Sequence, residues 1–219
     1  MIVIVDYGIG NLRSIEKAFE AVGAPVLRSD RASEIERAGK VVLPGVGAFG
    51  ACAAEIRRRG VEQPVLQAIE EGKPFLGVCV GMQLLFDVGQ EMGRHQGLGV
   101  LPGRVMRLDA VPALEPSGAE TIADAGPTRD LKIPHMGWNT IEQCRKSPLL
   151  GGISPEAYFY FVHSFAAVPE RSEDVLATCR YGVSFPAVVH RNNVFGVQFH
   201  PEKSQQNGLR ILRNFAELS

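Results

Sequence analysis

The chain has 219 residues, with 23 Lys and Arg against 24 Asp and Glu, a formal net charge of −1 and 45% hydrophobic residues. That length supports a single α/β domain over residues 1–219 with a sizeable core, and the even charge, without a basic block, argues for no nucleic acid and no membrane as partner and for a small soluble substrate. Cys52, Cys79, Cys144 and Cys179 lack C-x-x-C spacing, which disfavours a metal site or a disulfide framework, and with no signal-type segment or membrane-length apolar run the expected location is cytoplasmic.

Ile2 to Val5 reads as a buried strand, followed by the turn Asp6-Tyr7-Gly8-Ile9-Gly10-Asn11 and a helix with Leu12, Ile15, Phe19 and Val22 on one face, closed by Gly23. Gly8, Gly10 and Arg13 break G-x-G-x-x-G at its third glycine, so a dinucleotide site is not indicated. Pro25 to Leu27 and Val41 to Leu43 read as strands, Ala51 to Arg59 and Glu62 to Glu71 as helices. Pro74 to Val78 reads as another strand, and Met82 to Phe86 as the start of a helix. Such alternation predicts a mostly parallel central sheet with right-handed crossovers.

After Gly97 the apolar runs shorten: Arg104 to Leu108, Trp138 to Ile141, Tyr158 to Val162, Val175 to Cys179, Ala187 to His190 and Val194 to Phe199. They read as strands with hairpin-like connections, so antiparallel strands are expected in the C-terminal half. The stretch from Asp109 to Asp130, rich in Ala, Pro, Gly and acidic residues, reads as a mobile surface loop. A helix from about Gln205 to Leu218 follows, with Leu209, Leu212 and Phe215 on one face.

Two strings carry chemistry. In Gly77-Val78-Cys79-Val80-Gly81, a cysteine flanked by glycines lies between a strand and a predicted helix, the spacing of the G-x-S-x-G elbow with sulfur in place of oxygen. A helix N-terminus there would favour the thiolate. In Phe199-His200-Pro201-Glu202-Lys203, Pro201 biases His200 away from helical angles. If extended geometry persists, His200 and Glu202 point to the same side. Cys79, His200 and Glu202 are therefore the expected nucleophile, general base and orienting carboxylate.

Attack on a carboxamide also requires donors for an oxyanion. The amide of Val80 directly follows the nucleophile, and Leu43-Pro44-Gly45-Val46-Gly47-Ala48-Phe49 is a glycine-rich loop after a neighbouring strand. Val46 or Gly47 is the expected second donor.

With these residues in order, P-G-V-G-A-F, G-V-C-V-G-M-Q and F-H-P-E-K-S, the sequence resembles the class I glutamine amidotransferases. That resemblance implies a three-layer α/β fold with a mostly parallel central sheet and helices on both faces, and hydrolysis of the glutamine side-chain amide by a Cys-His-Glu site. D-Y-G-I-G-N-L from Asp6, P-H-M-G-W-N from Pro134 and Y-F-V-H-S-F from Tyr160 narrow the likeness to the glutaminase subunits of imidazole glycerol phosphate synthases. They argue against a glutaminase serving a pyridoxal phosphate synthase.

The resemblance further implies that Gln83 and Glu91 help bind glutamine, with Glu91 near the substrate ammonium, and that backbone around Ser164 holds the α-carboxylate end. It also implies a heterodimer with a cyclase subunit of (β/α)8 barrel fold, and no cofactor. The glutaminase strings span Val41 to Glu202 and no P-loop is present, so the consumer of ammonia is expected to be another chain. The apolar segment around Met136 and Trp138, with Asn139 beside it, is the expected docking surface.

Overall fold

The computed structural model describes residues 1–112 and 131–218, so residues 113–130 of the predicted loop lie outside the described residues. Eight strands form the main sheet, in the order Val26–Ser29, Ile2–Val5, Lys40–Gly45, Phe75–Cys79, Val194–Val197, Val183–Arg191, Val175–Tyr181 and Glu142–Gln143. The first five run parallel, and from Val194–Val197 onward each neighbour is antiparallel. Ile2–Val5 and Phe75–Cys79 are buried at every position, as strands covered on both faces must be.

The layers follow from crossover handedness. The chain leaves Ile2–Val5 through the helix Leu12–Ala21 to one side, then returns past it through Ala32–Glu36 to Lys40–Gly45. Right-handed crossovers in opposite directions put these helices on opposite faces of the sheet. Glu62–Glu70 packs on Ala32–Glu36, and the last helix, Gln205–Glu217, packs on Leu12–Ala21. There the rings of Phe19 and Phe215, both fully buried, meet edge to face at 6.3 Å. Truncating either to alanine would cost about 3–5 kcal/mol.

Two local expectations are corrected. The helix after Cys79 is a single turn, Val80–Gln83, and Phe86–Gly89 is a strand. Leu84, Leu85 and Phe86 are all fully buried, so apolar periodicity could not separate helix from strand here. Long-range pairing decides: Phe86–Gly89 joins a second sheet in the order Phe165–Pro169, Leu101–Arg107, Phe86–Gly89, His95–Gln96. Likewise the strand before His200 ends at Val197, and Pro201–Lys203 forms a 3-10 turn. The turn, not persistent extended backbone, sets the relation of His200 to Glu202.

His135–Thr140 and Tyr158–His163 form a separate antiparallel ribbon. Among the described residues no helix is long and apolar enough to cross a membrane.

Candidate active site

Three parallel strands end side by side at the centre of the main sheet, with Gly45 opposite Cys79 and Val78 opposite Val197. Open α/β sheets bind ligands off the carboxyl ends of their strands. That edge gathers the loop beginning at Pro44, the thiol of Cys79 and the segment Gln198 to His200.

Cys79 sits at φ 54° and ψ −112° between its strand and the one-turn helix. A non-glycine residue there stores on the order of 1–3 kcal/mol of strain, which the packing of its neighbours enforces. A Cβ on Gly77 would lie 2.6 Å from the Gly81 carbonyl oxygen, and one on Gly81 would lie 1.8 Å from that of Leu43. Neither position admits a side chain without displacing backbone. A helix of four residues aligns few peptide dipoles, so the predicted macrodipole support for a thiolate is small.

The imidazole of His200 meets Glu202 through Nδ1 and Oε1 at 2.9 Å, with both side chains buried. Its backbone is fixed as well: the His200 N–H donates to the Tyr160 carbonyl, and Ser204 Oγ donates to the His200 carbonyl at 2.7 Å while accepting the Tyr160 N–H. Burial opposes a charged imidazole, but hydrogen bonds and charge from Cys79 and Glu202 outweigh it and raise His200 to about 10. The imidazolium beside the sulfur is thus the favoured form. Among the described residues, Glu202 Oε2 is buried without a hydrogen-bond partner. Glu202, His200, Asn11, Gly45 and Val46 line a small cavity of about 10 Å³, room for about one water.

The glycine loop is tied at two carbonyls. Tyr7 Oη donates to the Pro44 oxygen at 2.8 Å, and Cys52 Sγ donates to the Val46 oxygen at 3.3 Å. The peptide between Gly45 and Val46 lies between these ties. Gly45 itself has no room for a Cβ, which would meet the Gly81 nitrogen at 2.7 Å and Tyr7 Oη at 2.9 Å. Gly47 adopts φ +87°, open to glycine at low cost, while Val80 is buried directly behind Cys79 and Val46 is exposed.

Gln83 is buried, and its Nε2 donates to the Phe165 carbonyl at 2.9 Å and to Gln198 Oε1 at 3.0 Å. With its donors so engaged, Gln83 has its carbonyl oxygen to offer a ligand. Glu91 Oε2 accepts the Phe49 N–H at 2.8 Å, at the start of the helix Phe49–Arg58 that follows the glycine loop. Ser164 lies between the strands Tyr158–His163 and Phe165–Pro169, and its carbonyl accepts the Leu108 N–H.

Met136 and Trp138 project from the ribbon, 63% and 45% exposed. The Trp138 ring packs edge-on against Tyr160 at 5.9 Å, whose carbonyl holds the His200 N–H. Asn139 turns inward instead, donating to the Arg180 carbonyl at 3.0 Å.

Three residues escape the sequence reading: Gln198, whose amide reaches the sulfur of Cys79 at 3.7 Å, and the loop ties Tyr7 and Cys52. Gln198 carried a signal, because it stands two residues before His200 at the end of a predicted strand, where period-two alternation would place the two on one side, although the strand itself ends at Val197. Tyr7 carried none, since nothing local relates it to Pro44, and Cys52 could be related to Val46 only through the turn by which the loop enters the helix Phe49–Arg58.

A thiol on a strained turn, an imidazolium beside it, a carboxylate behind the imidazole and a glycine loop opposite form an arrangement suited to covalent acyl transfer. The family model of class I glutamine amidotransferases matches residues 3–218. The imidazole glycerol phosphate synthase subunit HisH of Salinibacter ruber is 58% identical over all of this chain and 94% of its own length. The subunit of the same name from Syntrophotalea carbinolica is 47% identical over 100% of both chains. Among solved structures, a glutamine amidotransferase crystal structure aligns at a TM-score of 0.68 and 23% identity over 100% of both chains. The structure of PurLQS from Thermotoga maritima aligns at 0.71 and 18%, covering 98% of this chain and 96% of that one. At such identities these two likenesses speak for the fold.

Proposed function

Since the chain belongs to the class I glutamine amidotransferases, we propose that it works as the glutaminase subunit of an imidazole glycerol phosphate synthase. The observation that carries this reading is its full-length kinship with subunits of that synthase. A synthase subunit works with a partner chain, and the partner read here is a cyclase of (β/α)8 barrel fold in a heterodimer.

In this reading Cys79 attacks the side-chain amide carbon of glutamine, and the carbonyl electrons move onto oxygen. The backbone N–H of Val80 and one from Val46 or Gly47 stabilise that oxyanion. His200 gives its proton to the departing nitrogen, so ammonia leaves and a γ-glutamyl thioester remains. Water, deprotonated by His200, attacks the thioester; glutamate leaves and the thiol is restored. Glu202 steadies the imidazole and its charge throughout, 2.9 Å from Nδ1. Gln83, Glu91 and the backbone around Ser164 seat the amino-acid end of the substrate.

Ammonia then passes to the cyclase, which converts a phosphoribulosyl-formimino aminoimidazole carboxamide nucleotide into imidazole glycerol phosphate and aminoimidazole carboxamide ribonucleotide, a step of histidine biosynthesis in the cytoplasm. The test is purification of the native complex, identification of its chains by mass spectrometry, and measurement of glutamate release against nucleotide product. Equal stoichiometry with a barrel cyclase supports the reading. Co-purification with a different synthase, or no glutamate release with the cyclase and its nucleotide present, overturns it.

A further inference from the structure

The nucleophile has a neighbour with a defined polarity. Gln198 is 0% exposed, its backbone held by an N–H bond to the Ala187 carbonyl, so its side chain has one set of partners. The direction of its amide follows from a fixed point elsewhere. The Phe165 carbonyl is an obligate acceptor and takes Gln83 Nε2 at 2.9 Å, so the Gln83 amide presents its nitrogen there. The same nitrogen donates to Gln198 Oε1 at 3.0 Å. With its oxygen thus engaged, Gln198 turns its NH2 toward Cys79, Nε2 to Sγ at 3.7 Å.

We propose that Gln198 is a further residue of the reaction, donating an N–H hydrogen bond that stabilises the Cys79 thiolate and aims the sulfur, with Gln83 and the Phe165 carbonyl fixing its polarity. The physical grounds are that a sulfur anion shielded from water depends on protein donors, and that the one-turn helix behind it contributes little dipole. His200 supplies the counter-charge and the proton; Gln198 supplies a donor that does not titrate. The other titratable groups that feel the charge of the sulfur are Tyr7 and Cys52. His200 touches Glu202 and acts electrostatically on His163, and Glu91 acts on Cys52. None of these is altered by a substitution at Gln198.

The inference rests on the reading of Cys79 as the nucleophile. Its test is the pH dependence of iodoacetamide alkylation at Cys79, followed by peptide mapping in the chain with its synthase partner, for wild type, Gln198→Met and Gln198→Glu. Methionine keeps the length and lacks the donor. Glutamate keeps the shape, still accepts from Gln83, and sets an oxygen against the sulfur. With the donor gone, alkylation of Cys79 at pH 7 falls about tenfold and its half-maximal pH rises by about one unit, while the plateau rate at high pH is kept. The glutamate variant shifts further in the same direction. Exposed Cys144 reacts equally in all three and serves as the internal control. Turnover falls in parallel, and in Gln198→Glu, where Gln83 keeps its acceptor, the KM for glutamine stays within about twofold, since the lost interaction is to the nucleophile. Should the methionine variant fail to fold, as judged by circular dichroism, the glutamate variant decides. An unmoved pH profile in a folded variant overturns the proposal. Wild-type complex that releases no glutamate overturns the nucleophile reading instead, so the two failures are distinct.

Discussion

His135 Nδ1 lies 3.1 Å from His163 Nε2, inside a cluster of Phe161, Tyr181 and Phe185 rings. His163 Nδ1 faces the Phe165 carbonyl at 2.9 Å, and because a carbonyl only accepts, the proton sits on that nitrogen and Nε2 accepts from His135. His135 Nε2 is then free to accept from the Asn139 amide, 3.4 Å away. One carbonyl sets two tautomers, and the same oxygen anchors the Gln83 amide.

This pair predicts acid sensitivity. Burial holds His163 down at about 3 and His135 at about 4, below the unfolded value of about 6.5. Between these limits the unfolded chain binds more protons, so the contribution is present above about pH 6.5 and is lost as pH falls toward 4. The loss approaches about 1.4 kcal/mol per pH unit for each histidine. Thermal melts from pH 6.5 to 5, below the range in which the raised His200 adds stability with falling pH, should show a falling Tm, with a shallower slope in His135→Phe. A flat profile in the wild type would contradict neutral burial of the pair.

Cys79→Ala should abolish glutamate release while leaving synthesis from added ammonium salts intact in the complex, because in the proposed reaction the thiol serves only to liberate ammonia. Both rates are read on one preparation. Loss of the ammonium-driven rate in an intact complex would give Cys79 a further role.

Glu202→Gln keeps the shape of the carboxylate that touches His200 Nδ1 and removes its charge. A fall in kcat of roughly 10²- to 10⁴-fold is expected, by analogy with the orienting acid of serine hydrolases. Glutamine affinity should change little, measured by titration of the Cys79→Ala background. An undiminished kcat would remove Glu202 from the mechanism.

Gly45→Ala places a Cβ within 2.7 Å of the Gly81 nitrogen and 2.9 Å of Val80 Cβ. The loop must shift away from the nucleophile turn, and the loss of an oxyanion donor costs on the order of 100-fold or more in rate. Full glutaminase activity, alone and with partner and nucleotide, would exclude this loop from the oxyanion site.

Met136→Asp and Trp138→Ala should weaken partner binding by about tenfold or more and leave Tm within a few degrees, since both side chains are largely exposed. Calorimetric titration with the cyclase reads the first, melting the second. Unchanged affinity would move the docking surface elsewhere.

What the sequence by itself determined is local. The glycines at 77 and 81 announce a turn that excludes side chains, alternation of strand and helix dictates the parallel half, and H-P-E puts a carboxylate within local reach of its imidazole, the contact itself being set by a 3-10 turn. Periodicity and spacing report conformation over one or two turns of chain, and those inferences need no distant partner. Tertiary structure decided what depends on distant residues. Phe86 is a strand because Leu101 pairs with it, a fact its uniformly buried surroundings could not convey. Tyr7 holds the carbonyl of Pro44 from the far side of an intervening strand and helix, and Cys52 reaches back to that of Val46 from the helix that follows the loop. The Gln198 amide points its nitrogen at Cys79 only because Gln83, anchored on Phe165, takes its oxygen. A hydrogen bond's direction is a property of the whole network, and only the packed chain assembles that network.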